Sequence, residues 1–236
     1  MKIKKSAIIL IFILFIALAL RLVHINDKAY GTDEEHSIIS ASEIIKGSLI
    51  DYKDYGNPPL FFLLIAPFIM LKSILMLKLF TILIGILSII LIYFLTYKLF
   101  DKKIGLVSAF LLAVSPMHVL FSQHIRVYIL LMMVFIASLV YLYELIKSKD
   151  NKKLIILMTL YVIAIYLHYF SAIFIMAQMI TLLVLNRDKT LLKRYFVGLI
   201  IVGILSLPIF YIFTKQYNYM IGQGELKTIE KVKLIN

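Results

Sequence analysis

Long apolar runs divided by clusters of lysine and arginine constrain this chain more than any other feature. Residues 6–25, 79–97, 154–185 and 195–213 contain no acidic side chain, and several approach the roughly 20 residues that cross a bilayer. Hydrophobic residues make up 62% of the sequence and charged residues 16%, against about 45–50% and 25% in soluble domains. The expectation is an all-α integral membrane protein, since in hydrocarbon a helix satisfies its own backbone. With no cysteine, disulfides and thiolate metal sites are excluded.

The formal charge of +12 suggests nucleic acid only if the basic residues face water on one surface. Here they gather at the ends of apolar runs: Lys2, Lys4 and Lys5; Lys98, Lys102 and Lys103; Lys147, Lys149, Lys152 and Lys153; Arg187, Lys189, Lys193 and Arg194. That pattern sets membrane orientation instead. If all four clusters are cytoplasmic, each stretch between them crosses an even number of times. Residues 104–146 then form a hairpin whose outer tip lies around Ser115-Pro116-Met117-His118 and Gln123-His124-Ile125-Arg126, and 154–185 form two short helices meeting near His168. The run 195–213 exits again, with Pro208 as a kink. Residues 59–71 are too short to cross and read as an interfacial helix. The count is about seven transmembrane helices with the N terminus cytoplasmic. The first run continues through Arg21, which favours a retained anchor over a cleaved signal peptide. Residues 1–214 form the core, with an outer loop over 26–77, and 215–236 a short tail.

Seven of the thirteen acidic residues lie between Asp27 and Asp54, inside that outer loop. Thr32 with Glu35 reads as a capping box and Gly47 as a C-terminal stop, so 33–46 is expected to be an amphipathic helix along the membrane. Its apolar stripe is Ile38, Ala41 or Ser42, and Ile45. Asp33 and Glu34 fall in the first turn, where the helix dipole favours carboxylate. Spacing alone leaves two roles open to them, serving the helix start or accepting a proton as general base. The topology also brings His36, Asn57, Lys78, His118, Gln123, His124, Arg126, Tyr128, His168 and Tyr169 to the outer helix ends, with the span interiors expected to be clean. Arg126 either binds phosphate or snorkels to the headgroups; His168 either binds substrate or bonds within its turn. Tyr141, Tyr143 and Tyr161 read as an interfacial belt.

Five segments in order carry a resemblance. Thr32-Asp33-Glu34, with Lys46-Gly47 and Asn57-Pro58-Pro59-Leu60 after it, resembles the first outer loop of the polyprenyl-phosphate-dependent membrane glycosyltransferases, which include protein O-mannosyltransferases and aminoarabinose transferases. Lys78-Leu79 resembles the start of their next span. Ser115-Pro116 and Ser122-Gln123-His124-Ile125-Arg126-Val127-Tyr128 resemble their proline turn and Ser-Gln-Glu-Ala-Arg-x-Tyr segment, and His168-Tyr169 their His-Tyr motif. The likeness implies a C-type glycosyltransferase core in which Asp33, beside Glu34, is the acid/base. His36, Asn57, Lys78, His118, Gln123, Arg126, Tyr128, His168 and Tyr169 would bind substrate.

The implied reaction transfers a sugar, with inversion, from a polyprenyl or dolichyl phosphate carrier to a protein or lipid acceptor on the outer face. Nothing visible requires a cofactor or metal. Three departures stand out: Asn57 where a basic residue is frequent, Lys78 for arginine, and His124 for glutamate. The rival readings are a transporter or flippase of lipid-linked sugars, or a catalytically inactive partner subunit. A transporter usually carries ionisable residues at mid-bilayer depth.

Overall fold

The computed structural model describes residues 5–23, 25, 31–48, 57–218 and 221. Among them the chain is entirely helical, with no strand. The helices are α1 (Lys5–Leu22), α2 (Thr32–Ile45), α3 (Leu60–Met70), α4 (Ile74–Leu99), α5 (Lys102–Val114), α6 (Pro116–Gln123), α7 (Tyr128–Ser148), α8 (Asn151–Leu167), α9 (Ser171–Leu185) and α10 (Lys189–Leu205). A last helix, α11, spans Leu207–Asn218. Asp27, Asp51, Asp54 and nearly all of the tail after 218 lie outside the described residues.

Helix boundaries follow local chemistry. Asp101, Asp150 and Asp188 each accept bonds from the first free N–H groups of α5, α8 and α10, satisfying donors that a helix start otherwise leaves orphaned. Pro116 opens α6, where its missing N–H costs nothing. Helix α2 ends in a Schellman motif: Ser48 N donates to Glu43 O at 3.1 Å and Gly47 N to Ile44 O at 3.0 Å. Gly47 supplies the required left-handed turn, with φ of 98°.

Three helices, α1, α4 and α7, are long and apolar enough to cross a bilayer, and five spans result if the bent pairs α5–α6 (59°) and α10–α11 (46°) each count once. This is a multi-pass membrane architecture. Helices α8 and α9, with 17 and 15 residues, are shorter, so length alone does not reach the expected seven. They do break at His168, where the sequence places the turn. The α10–α11 bend falls at Ser206, two residues before Pro208. Helix α3 is about 16 Å long at 1.5 Å per residue and packs with α2 against the N-terminal ends of α4 and α7 and the C-terminal end of α8.

The ends of the bundle are chemically different. Lys98 on α4 pairs with Glu144 on α7, Lys149 with Asp188 at 2.8 Å, and Arg194 with Asn151 at 2.6 Å. Helices α1 and α5 run parallel, with Ile13 and Ala17 against Ala109 and Ala113. The basic clusters after α4, α7 and α9 therefore share one end of the bundle. The loop helix α2 and the α6–α7 junction lie at the other.

Two expectations require correction. Tyr161 is not part of a belt: it is buried midway along α8, and its hydroxyl bonds Gln178 at 3.0 Å and Tyr195 at 2.9 Å. Gln178 donates in turn to Ser138 at 2.6 Å, so one polar chain joins α7, α8, α9 and α10. Nor are the spans free of ionisable groups. Arg21 in the last turn of α1 is fully buried, and its network reaches Ser88 midway along α4.

Candidate functional site

The exposed acid of the site is set by the start of α2. Gly31, not Thr32, is the N-cap, and Glu34, not Glu35, returns to it: Gly31 N donates to Glu34 Oε2 at 3.2 Å. Glycine has no side chain for the other half of a capping box. Glu34, Ser37, Ala41 and Ile44 face inward and Ile38 packs half-buried against the core, whereas Ile45 is exposed, so the expected stripe holds at Ile38 and Ala41 and fails at Ile45. Polar residues can face inward here because the protein supplies partners.

Glu34 uses its second oxygen on a distant segment. Ile125 N donates to Glu34 Oε1 at 3.0 Å, so one carboxylate, 5% exposed, ties α2 to the α6–α7 junction. Asp33, one residue earlier, points out, with its side chain 70% exposed. Arg126 bridges the two elements. Its Nη1 donates to Asp33 O at 3.1 Å and Ser37 Oγ at 3.2 Å, and its Nη2 lies 3.8 Å from Asp33 Oδ2. The guanidinium stands 5.8 Å from the centre of the Tyr128 ring. Tyr128 in turn contacts Phe121 and, at 6.2 Å, His168. Asp33, Glu34, Arg126, Tyr128 and His168 thus form one contiguous group from α2, the α6–α7 junction, the start of α7 and the α8–α9 turn. Ser37 joins it, a residue with no signal in the sequence.

A second group sits beneath it. Arg21 Nε donates to Ser122 Oγ at 3.1 Å, Nη1 to Ala17 O at 2.7 Å and Ala113 O at 3.0 Å, and Nη2 to His118 Nδ1 at 2.5 Å. A guanidinium only donates, so Nδ1 accepts and the imidazole proton sits on Nε2. That proton goes to Ser88 Oγ at 2.8 Å, and Ser88 donates to Gly85 O at 2.8 Å. Ser122 donates to His118 O at 2.6 Å. A side chain at Gly85 would strike Ser122 Oγ. Gln123 Nε2 reaches Arg21 O and Val23 O, both at 2.9 Å. Both ring nitrogens of His118 and the amide of Gln123 are therefore engaged within the protein, holding α6 to α1 and α4. Arg21 escaped sequence reasoning because its partners are remote. The available signal was an arginine inside an otherwise charge-free run, which is costly in lipid without partners.

The other sequence-derived residues are dispersed. Lys78 Nζ donates to Ile25 O at 2.7 Å, fastening α4 to the chain after α1. Asn57 is buried at the foot of α3, and His36 is exposed on α2. Tyr169 turns away from His168 and donates to Gln216 Oε1 of α11 at 2.8 Å, with its ring against Phe213. Among the described residues no cluster of three His, Asp or Glu is placed to hold a metal ion.

A family model described as dolichyl-phosphate-mannose-protein mannosyltransferase matches residues 56–212, most of the chain. The chain belongs to this family. Membership makes it a membrane glycosyltransferase of the mannosyltransferase type, and implies in general a dolichyl-phosphate-linked sugar donor and a protein acceptor. The matched residues of this mannosyltransferase-family chain include Asn57, Lys78, Arg126, Tyr128, His168 and Tyr169, whereas Asp33 and Glu34 precede them. No curated protein and no solved structure matches the chain significantly.

Proposed function

We propose that the chain transfers a sugar from a polyprenyl or dolichyl phosphate to a protein or lipid hydroxyl, with Asp33 as general base and Arg126 as the phosphate ligand. The carrying observation is the exposed Asp33 carboxylate beside the Nη2 edge of Arg126, on a loop helix clamped by Glu34. The acceptor oxygen forms a bond to the sugar's anomeric carbon from the face opposite the phosphate, hence inversion. The bond to the phosphate oxygen breaks, its electron pair leaves with the lipid phosphate, and the acceptor proton passes to Asp33. The same guanidinium edge faces both anions. A phosphate arriving at Nη2 loosens the hold on Asp33 and leaves the carboxylate more available as a base.

Tyr128 and His168 supply an aromatic wall, while Lys78, His118 and Gln123 act by holding the helices. Arg126 is the better phosphate ligand than Lys78 because guanidinium grips two oxygens at once. Seven crossings require α8 and α9 each to span, tilted little in a locally thin bilayer. With the basic clusters cytoplasmic, the Asp33 end faces outward.

The test is to incubate the purified protein with radiolabelled polyprenyl-phospho-mannose and a serine/threonine peptide or a lipid alcohol. Label in either acceptor supports the reading. Donor binding without transfer points to a partner subunit, and protein-dependent movement of the donor across vesicles to a flippase. Single cysteines at Lys149 and His36, introduced into a chain that has none, give sidedness. Only the second is expected to react with an impermeant reagent from outside.

A further inference from the structure

Away from the Asp33 group, a groove of about 790 Å³ runs between α8 and α10. Its walls are apolar, formed by Leu154, Met158, Val197 and Ile201, and Gly198 makes its floor. A Cβ at Gly198 would lie 2.9 Å from Met158 Cγ and Sδ, so glycine leaves room for the Met158 side chain at this point of the groove. At the basic end of the bundle its lining changes to Asn151, Thr190, Lys193 and Arg194. Arg194 donates to Asn151 Oδ1 and to Lys149 O, but its Nε is shielded and lacks a hydrogen-bond partner among the described residues. The adjoining stretches 147–153 and 186–194 hold eight basic residues against two acids, and one of those acids, Asp188, is taken up by Lys149.

A long apolar trough ending in uncompensated positive charge has the form of a lipid with an anionic head. Basic pockets between membrane helices are suited to such headgroups. We propose that this groove binds an anionic phospholipid, one acyl chain lying along α8 and α10 and the phosphate against the exposed Lys193. The ligand is distinct from the sugar donor, whose phosphate would meet Arg126 at the opposite end.

The chain has no tryptophan, so Ile201→Trp places a single fluorophore in the groove. In nanodiscs, brominated phosphatidylglycerol is expected to quench it at a roughly fivefold lower mole fraction than brominated phosphatidylcholine, the size of one basic side chain's contribution near an anionic headgroup. Adding Lys193→Gln removes that preference. Phe15→Trp, on the exposed face of α1, shows none. Equal quenching by both lipids would mean ordinary annular lipid and overturns the site. So does a preference that survives Lys193→Gln. Absence of quenching by either lipid means that protein covers the groove, and is equally fatal to the proposal.

Discussion

At the basic end of the bundle, Lys98 meets Glu144 and Lys149 meets Asp188, partners 46 and 39 residues apart on adjacent helix ends. At the opposite end, Ile125 reaches Glu34, Arg126 reaches Asp33 and Arg21 reaches Ser122 across 91, 93 and 101 residues. The first set consists of solvent-accessible pairs, and in one of them both members, Lys149 and Asp188, also cap helices. Lys149, and then the backbone N–H of Leu191, hold the Asp188 carboxyl below its ordinary range, which is what an N-cap beside an ammonium does. The second set fixes loop and helix to one another where the exposed Asp33 stands beside Arg126. On the proposed topology, charge at the basic end sets orientation in the membrane, whereas charge at the Asp33 end sets geometry, and geometry is what transfer chemistry requires.

That contrast makes removal of Arg21 the most damaging single change in the molecule. Arg21→Met strips four donor bonds and takes from His118 Nδ1 its guanidinium partner. The expected cost is on the order of 2–4 kcal/mol, read as a lowered melting midpoint in detergent. A midpoint equal to wild type would show that the network is dispensable.

Glu34→Gln is the next largest. An amide keeps the shape but has a single acceptor oxygen, so either Gly31 N or Ile125 N loses its partner. A buried unpaired donor costs about 1–3 kcal/mol, and transfer is expected to fall about tenfold or more while the protein stays folded. If Glu34→Gln transfers normally, the clamp does not position Asp33.

Arg126→Lys tests the arginine's role on the donor side. Loss of the two-pronged grip is expected to raise the donor's KM about tenfold, with the acceptor's KM little changed. Near-normal kinetics would leave Arg126 as a headgroup anchor, since lysine snorkels as well. Smallest is Lys98→Gln at the basic end. An exposed pair contributes under about 1 kcal/mol, so its thermal midpoint and transfer rate are expected to stay close to wild type. A large loss there would erase the distinction between the two ends.

The sequence made much of this legible, for local reasons. Pro116, His168 and Gly47 mark breaks because proline, a polar turn and a left-handed glycine act on their immediate neighbours, and all three breaks are present. The loop helix α2 and the short α3 follow from length and pattern. Arg21 was invisible because the residues that neutralise it, His118 and Ser122, come from a helix some hundred positions later. Spacing likewise treats Asp33 and Glu34 as twins. Only the position of Ile125 N separates a buried clamp from an exposed acid. Tyr161 looked interfacial for the same reason: its partners Gln178 and Tyr195 are on other helices.

The central claim is that Asp33 removes the acceptor's proton, and single-turnover transfer by Asp33→Asn tests it most directly. Asparagine keeps the size and the helix position, and the backbone bond from Arg126 to residue 33 is untouched. The variant is expected to fold, to bind polyprenyl-phospho-mannose with near-normal affinity, and to transfer at least about a hundredfold more slowly, the usual scale of a lost general base. Transfer at the wild-type rate by folded Asp33→Asn would contradict the account.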